Sequence, residues 1–226
     1  LALFSLFIAI VFGIPLGIYA GLKPKSKVSK TIMAGSILGF SMPTFWVGII
    51  FIMIFAVHLG WLPSTGRGEL GTFLGIQSSL FTANGISHVF LPALNLALFK
   101  MSSVIRLTRA GTREIILQDY ITFARSKGLS EEKVVLVHVL RNILIPIVTV
   151  IGLEFGSLIA FSTVTETIFA WPGMGKLIID SIYNLDRPVI VAYLMIIVTF
   201  FVFLNLFVDI LYSLLDPRVR VKGANE

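Results

Sequence analysis

The chain contains no cysteine, which excludes a disulfide framework, a thiolate metal site and a cysteine nucleophile. It is also poor in charge. Only 13% of its 226 residues are Asp, Glu, Lys or Arg, against about 25% in an ordinary soluble domain. It has no G-x-x-x-x-G-K-[ST] phosphate loop, so it has no route of that kind to ATP. It has no His-Glu-x-x-His, Ser/Lys or paired-aspartate arrangement inside its apolar runs, which leaves an intramembrane enzyme without a site. His88 and His138 fall in different parts of the chain and make no metal-ligand spacing.

What is present is apolar surface. Hydrophobic residues make up 56% of the sequence and the mean hydropathy is +0.94. Disorder needs the opposite composition. A membrane β-barrel would alternate polar and apolar residues, whereas here the apolar runs are continuous. The reading is an all-α polytopic membrane protein. Leu1 sits inside an apolar run with no basic segment ahead of it, so the start is read as a fragment that lost upstream sequence rather than as a signal peptide.

A spanning helix needs about 20 mostly apolar residues. Five segments qualify: Leu1 to Leu22, Thr31 to Val57, Ile86 to Ile105, Ile143 to Thr165 and Pro188 to Leu215. The stretch Phe73 to Phe81 is too short to span and reads as loop or interfacial helix. Lys23, Lys25, Lys27 and Lys30 follow the first span. Arg106, Arg109, Arg113, Arg125, Lys127, Lys133 and Arg141 follow the third, and Arg218, Arg220 and Lys222 close the chain. The connections from 58 to 87 and from 166 to 187 balance their few bases with acids. Positive charge gathers on the cytoplasmic side, so the lysine loop, the long basic segment and the C-terminus are placed there. The net charge of +6 is thus topological, and nucleic acid is not an expected partner.

Pro15, Pro43, Pro92 and Pro146 lie in or beside spans, and Gly13, Gly17, Gly35, Gly39 and Gly48 recur in the first two. They read as close helix packing, with a hinge as the alternative. Lys100 is placed near the cytoplasmic end of its span, where it can snorkel. Glu154 lies mid-span, where a charge is costly. It reads either as pathway-lining or as a paired structural polar. Asn205 and Asp209 are one turn apart and suit interhelical hydrogen bonds.

The segment 106–142 is long for a protein with short loops elsewhere. Asp119 is placed as the cap of a short helix through Tyr120, Phe123 and Ala124. Gly128 falls where a left-handed C-terminal cap is expected. Ser130 is the next N-cap, with Glu131 and Glu132 in the first turn. Short helices are marginal alone. Tyr120, Ile121, Phe123 and Leu129 beside Arg125 and Lys127 either enter a groove on a partner or pack on the chain's own helix ends.

The run from Asp119 through Tyr-Ile-Thr-Phe-Ala-Arg-Ser-Lys-Gly-Leu to Ser130, with His138-Val-Leu-Arg-Asn142 and Pro146, resembles the coupling loop of binding-protein-dependent ABC importer permeases. It is similar to the dipeptide/oligopeptide/nickel branch, and to its B-type subunit. Gly13-Ile-Pro-Leu-Gly17, Ser41-Met-Pro-Thr-Phe-Trp46 with Leu59-Gly-Trp-Leu-Pro63, Glu166-Thr-Ile-Phe-Ala-Trp-Pro-Gly-Met-Gly175, and Asn205 to Asp209 with Tyr212 and Asp216-Pro-Arg218 extend the resemblance over nearly the whole chain. Two positions depart. Thr122-Phe123-Ala124 stands where the general pattern has Glu-Ala-Ala, and Arg141 stands where it has proline.

The resemblance implies a type I ABC importer fold, with five transmembrane helices here and six in a full chain, as one permease domain over residues 1–226. It implies no catalytic residue and no cofactor on this chain, with ATP and magnesium held by partners. Those partners are a second permease, two ATP-binding subunits and an extracytoplasmic solute-binding protein, in a bacterial or archaeal cytoplasmic membrane. Asp119, Tyr120, Ala124, Arg125, Lys127, Gly128 and Leu129 are the expected coupling residues. Ala124 and Gly128 would permit close approach, Tyr120 and Leu129 would fill a groove, and Arg125 and Lys127 would meet acids or serve topology alone. Glu154, Glu166, Trp171, Pro172 and Gly173 are the candidate pathway or gate residues; the loop from Glu166 to Gly175 reads as a gate or a contact for the binding protein, with a rigid re-entrant turn carrying an interfacial tryptophan as the alternative. Short peptides are the expected cargo, with nickel or another small solute as the alternative and a stand-alone channel as the competing class.

Overall fold

A computed structural model describes residues 1–73 and 75–215, without a few side chains in its helices and strands. The expectations for the side chains of Glu154, Asp209 and Tyr212, and for the tail from Asp216 to Lys222, lie outside the described residues. The order of elements is α1 (Ala2–Leu22), α2 (Lys27–Ser41), α3 (Thr44–Phe51) with a π-helical extension (Ile52–His58), β1 (Gly71–Phe73), β2 (Ile76–Ser78), α4 (Ala83–Ile115), α5 (Asp119–Ser126), α6 (Glu131–Lys133), a π-helical turn (Val134–Val139), α7 (Leu140–Ile168), α8 (Met174–Tyr183) and α9 (Arg187–Leu215). Among the described residues, four helices are long and apolar enough to cross a membrane, and up to five spans result when the bent pair α2–α3 is counted as one.

The second span is not the continuous helix expected from Thr31 to Val57. It turns by 107° between α2 and α3. Pro43 is the cause. Its ring drives the preceding residue out of the helical region, and Met42 accordingly has φ −84° and ψ 137°. Pro43 also has no N–H to return to the carbonyl four residues back. The stretch from Phe73 to Phe81 departs too. It contributes to a two-stranded antiparallel hairpin, with Gly71 opposite Ser78 and Phe73 opposite Ile76, followed by a short 3₁₀ turn at Ser79–Phe81.

The core is the α1–α4 contact. Gly13, Gly17 and Gly21 recur every fourth residue on one face of α1, against Val104, Thr108 and Thr112 on α4. A Cβ at Gly17 would lie 2.5 Å from the Thr108 Cβ and 2.8 Å from the Ile105 carbonyl oxygen. Without hydrophobic drive between helices in lipid, this close backbone approach supplies the packing. Gly35, by contrast, has nothing near its missing Cβ. Ser26 caps α2 by accepting from the Ser29 N–H at 3.0 Å, and Thr82 caps α4 by accepting from the Gly85 N–H at 3.0 Å. Both are the residue types that satisfy orphan N–H groups at a helix start.

Lys100 does not snorkel to the surface. It is 5% exposed, with its ammonium 5.5 Å from the Phe99 ring centroid. The packing of α4 among α1, α2 and α7 leaves it no way out. Asn205 is exposed on α9 and makes no hydrogen bond to another described helix.

Candidate functional site

The basic segment folds as an elbow at one end of the bundle, and glycine makes it. α5 ends in a paired left-handed cap. The Leu129 N–H donates to the Ala124 carbonyl at 3.3 Å and the Gly128 N–H to the Arg125 carbonyl at 2.9 Å, with Gly128 at φ +79°. This is the Schellman arrangement, and a side chain at that φ costs about 1–2 kcal/mol. Nothing crowds the missing Cβ of Gly128, so backbone conformation rather than close approach within the chain explains the residue. Ser130 then caps α6, accepting from the Lys133 N–H at 3.4 Å.

Asp119 does not cap α5. Gln118 holds the cap position without a side-chain bond, and Asp119 sits in the first turn, where its charge favours the helix dipole. The apolar residues of the elbow divide between two faces. Ile121, Ala124 and Val134 are buried together, with Ile115, Ile116 and Leu129 against them. Ala124 and Leu129 therefore pack on the chain's own helix ends, as the second of the two readings of this segment has it for Leu129. Tyr120 and Phe123 face out, joined by Leu117 at 82% exposure.

The cations are engaged within the chain. Arg125 donates through Nε to Glu131 Oε1 at 2.7 Å and through Nη2 to Oε2 at 3.1 Å, clasping the elbow across Gly128. Both partners are more than a third exposed, so the clasp is worth under about 1 kcal/mol. Lys127 stands 4.5 Å from the Phe123 ring centroid, and the Tyr120 ring is 6.4 Å from that of His138. Leu117 and Glu131 were not among the expected residues. Leu117 lies between helices, where no periodicity marks it, and Glu131 meets Arg125 only once the glycine turn is made.

At the opposite end of the bundle, the loop after α7 is a tightly held cap. Glu166 is buried, and its Oε2 accepts from the Gly175 N–H at 2.8 Å and the Lys176 N–H at 3.1 Å, which satisfies the start of α8. The Trp171 N–H donates to the Glu166 carbonyl at 2.8 Å. A Cβ at Gly173 would collide with the Glu166 carboxylate, so only glycine fits there. Trp171 is buried beneath the Arg67 guanidinium, 5.9 Å from its ring centroid. Arg67 is itself held by donating to Ser79 Oγ at 3.1 Å, and the Gly66 N–H donates to the Phe169 carbonyl at 3.0 Å. Pro172 is exposed. The structure therefore brings Glu166, Trp171 and Gly173 together, far along α7 from the elbow residues.

Residues 13–221 match the family described as binding-protein-dependent transport system inner membrane component. The chain belongs to that family. Its relatives include the di/tripeptide transport system permease protein DppB of Pseudomonas aeruginosa, 41% identical over 97% of this chain and 69% of that protein. The oligopeptide transport system permease protein AppB of Bacillus subtilis is also 41% identical, over 97% of this chain and 68% of that one. The glutathione transport system permease protein GsiC of Escherichia coli is 37% identical over 98% and 67%. Among solved structures, a chain of the inward-facing MetNI methionine ABC transporter superposes with a TM-score of 0.72, covering 95% of this chain and 91% of that one at 17% identity.

This inner membrane component is thus a multi-pass permease subunit of an ABC importer, with the type I importer fold. Its relatives are transport permeases rather than enzymes.

Proposed function

We propose that the chain forms part of the translocation pathway for short peptides, and that the elbow 106–142 is where a separate ATPase subunit drives it. The peptide assignment follows the relatives named for di/tripeptide and oligopeptide transport. In this reading an extracytoplasmic binding protein delivers the peptide. A second permease completes the pathway, and two ATP-binding subunits hold the nucleotide and magnesium that this chain has no phosphate loop to bind. The elbow and the C-terminal tail lie in the cytoplasm, in accord with the placing of the basic residues.

The observation that carries the reading is the division of the elbow's apolar residues. Ile121, Ala124 and Leu129 fix it to the bundle, while Leu117, Tyr120 and Phe123 stand in solvent. An exposed apolar knuckle on a short, anchored helix is a fit for a groove on another protein. Closure of the ATPase pair then has a differential contact through which to bias the membrane helices between two states.

Gly128→Glu tests the docking role. It strains the left-handed cap and adds an acid to the docking face, outside the spans. Import of a dipeptide by the assembled transporter is expected to fall while the amount of chain in the membrane holds. Normal import by this variant would overturn the docking assignment. Co-purification of an ATPase and a second permease with the wild-type chain checks the partner set.

A further inference from the structure

We infer that the face at the α2–α3 break, formed by Phe40, Ser41, Pro43, Thr44, Phe99 and Phe161, is the wall of the pathway that touches peptide in transit. This rests on the peptide-permease reading above and adds to it the surface involved.

The first observation is a backbone one. Pro43 returns no N–H to the Gly39 carbonyl, and the ladder of α3 begins only with Trp46 and Val47 donating to the Pro43 carbonyl. The N–H groups of Thr44 and Phe45 lie ahead of that ladder. Phe99, stacked on Phe40 beside this break, lies inside the apolar run Ile86 to Ile105 of α4, about 10 Å along the helix from Arg106 at 1.5 Å per residue. Pro43 likewise falls inside the apolar run from Thr31 to Val57, so the break lies within the membrane span, toward its cytoplasmic side. Broken backbone at that depth is tolerated only where it is buried in protein or lines a water-filled cavity. Within the chain it is not buried, since Ser41, Pro43, Phe45 and Trp46 are exposed.

The second observation is the side-chain surface around it. The Phe40 and Phe99 rings stack with centroids 4.9 Å apart, and Phe161 continues the row at 5.5 Å from Phe99. The row joins α2, α4 and α7. A cavity of about 430 Å³ opens among these rings, Ser41 and Thr44. The Arg106 guanidinium lies 4.5 Å from the Phe40 ring centroid, adding positive charge at the end of the row toward the elbow. Unpaired backbone groups match the amides of a peptide, the ring faces take its apolar side chains, and the cation suits its carboxylate. A lipid-facing surface needs none of these.

The absence of cysteine from this chain makes the test direct. Ser41→Cys, Thr44→Cys and, on the exposed face of α9, Leu206→Cys are each placed in the whole transporter in vesicles and treated with a charged thiol reagent. The thiolate reacts, and apolar surroundings suppress it. The first two variants are expected to react about ten-fold or more faster than Leu206→Cys, because a one-unit rise in thiol pKa already gives that factor. Saturating alanyl-alanine should slow the reaction, and modification should stop ATP-driven import. Equal rates for all three positions would overturn the inference, as would fast reaction that leaves import intact. Import by the untreated variants is read in the same vesicles. Failure of the wall assignment is thus separate from failure of the permease reading, which would show as no ATP-driven import by the wild-type complex.

Discussion

Two faces of this molecule expose large apolar side chains at membrane depth, and they differ in their backbone. On α9, Met195, Val202, Phe203 and Leu206 point outward from a helix that runs unbroken from Arg187 to Leu215. At the α2–α3 break, Phe40, Phe45 and Trp46 are exposed to a comparable degree, but the hydrogen-bond ladder beneath them is cut at Pro43. Side-chain hydrophobicity alone would assign both faces to lipid. Backbone satisfaction separates them, because hydrocarbon offers no partner to a freed N–H or carbonyl. Exposed apolar residues in a membrane protein thus say less about their surroundings than the peptide groups behind them.

The sharpest way to break this contrast is a pair of arginines. Phe203→Arg puts a charge near the middle of α9, at a cost of about 2.5–3.5 kcal/mol at a helix centre. The amount of chain in the membrane fraction is expected to fall severely. Ser41→Arg should leave that amount near wild type and abolish import. Equal tolerance in the membrane fraction would erase the distinction between the faces.

Pro43→Ala tests what makes the break. Alanine restores an N–H and is favoured over proline by about 3 kcal/mol within a helix. The distance between spin labels at positions 30 and 53 is expected to lengthen as the 107° turn opens, with loss of import. An unchanged distance would assign the turn to packing instead, with Gly48 held against Asn95 and Phe169.

The smallest effect belongs to the elbow, where water satisfies what lipid would not. Glu131→Gln removes half of an exposed ion pair. Its cost is under about 1 kcal/mol, at most about a five-fold change in any equilibrium the elbow sets. Import should decline modestly, and added salt should narrow the difference between variant and wild type.

Much of this architecture is legible in the sequence, for identifiable reasons. The spans declare themselves by length and hydropathy. Gly128 and Ser130 declare the elbow, because few residue types suit a left-handed cap or an N-cap. The direction of α5 was not legible. Ile121 and Ala124 are one turn apart on one side, and Tyr120 and Phe123 are one turn apart on the other. Both stripes are largely apolar, so periodicity cannot say which is buried until Val134 is folded against one of them. Pro43 was visible, but whether a proline kinks a span or turns it sharply depends on what holds the far side. Lys100 reads as a surface cation from its position, and only the helices packed around α4 show it enclosed. Among the candidate site residues, Glu166 was legible as important but not as the acceptor for α8. Its bonds run to backbone nine and ten residues on, a pairing with no pattern of residue types to announce it.

The helical turns from Glu131 to Ile168 follow one another without a loop, a rod of about 57 Å at 1.5 Å per residue. One tip is clasped to Arg125 and the other grips α8 through Glu166. Whatever tilts the lower tip must swing the upper one or bend the shaft at Pro146 or the π-helical turn, so the elbow and the Glu166 cap are mechanically joined through this rod.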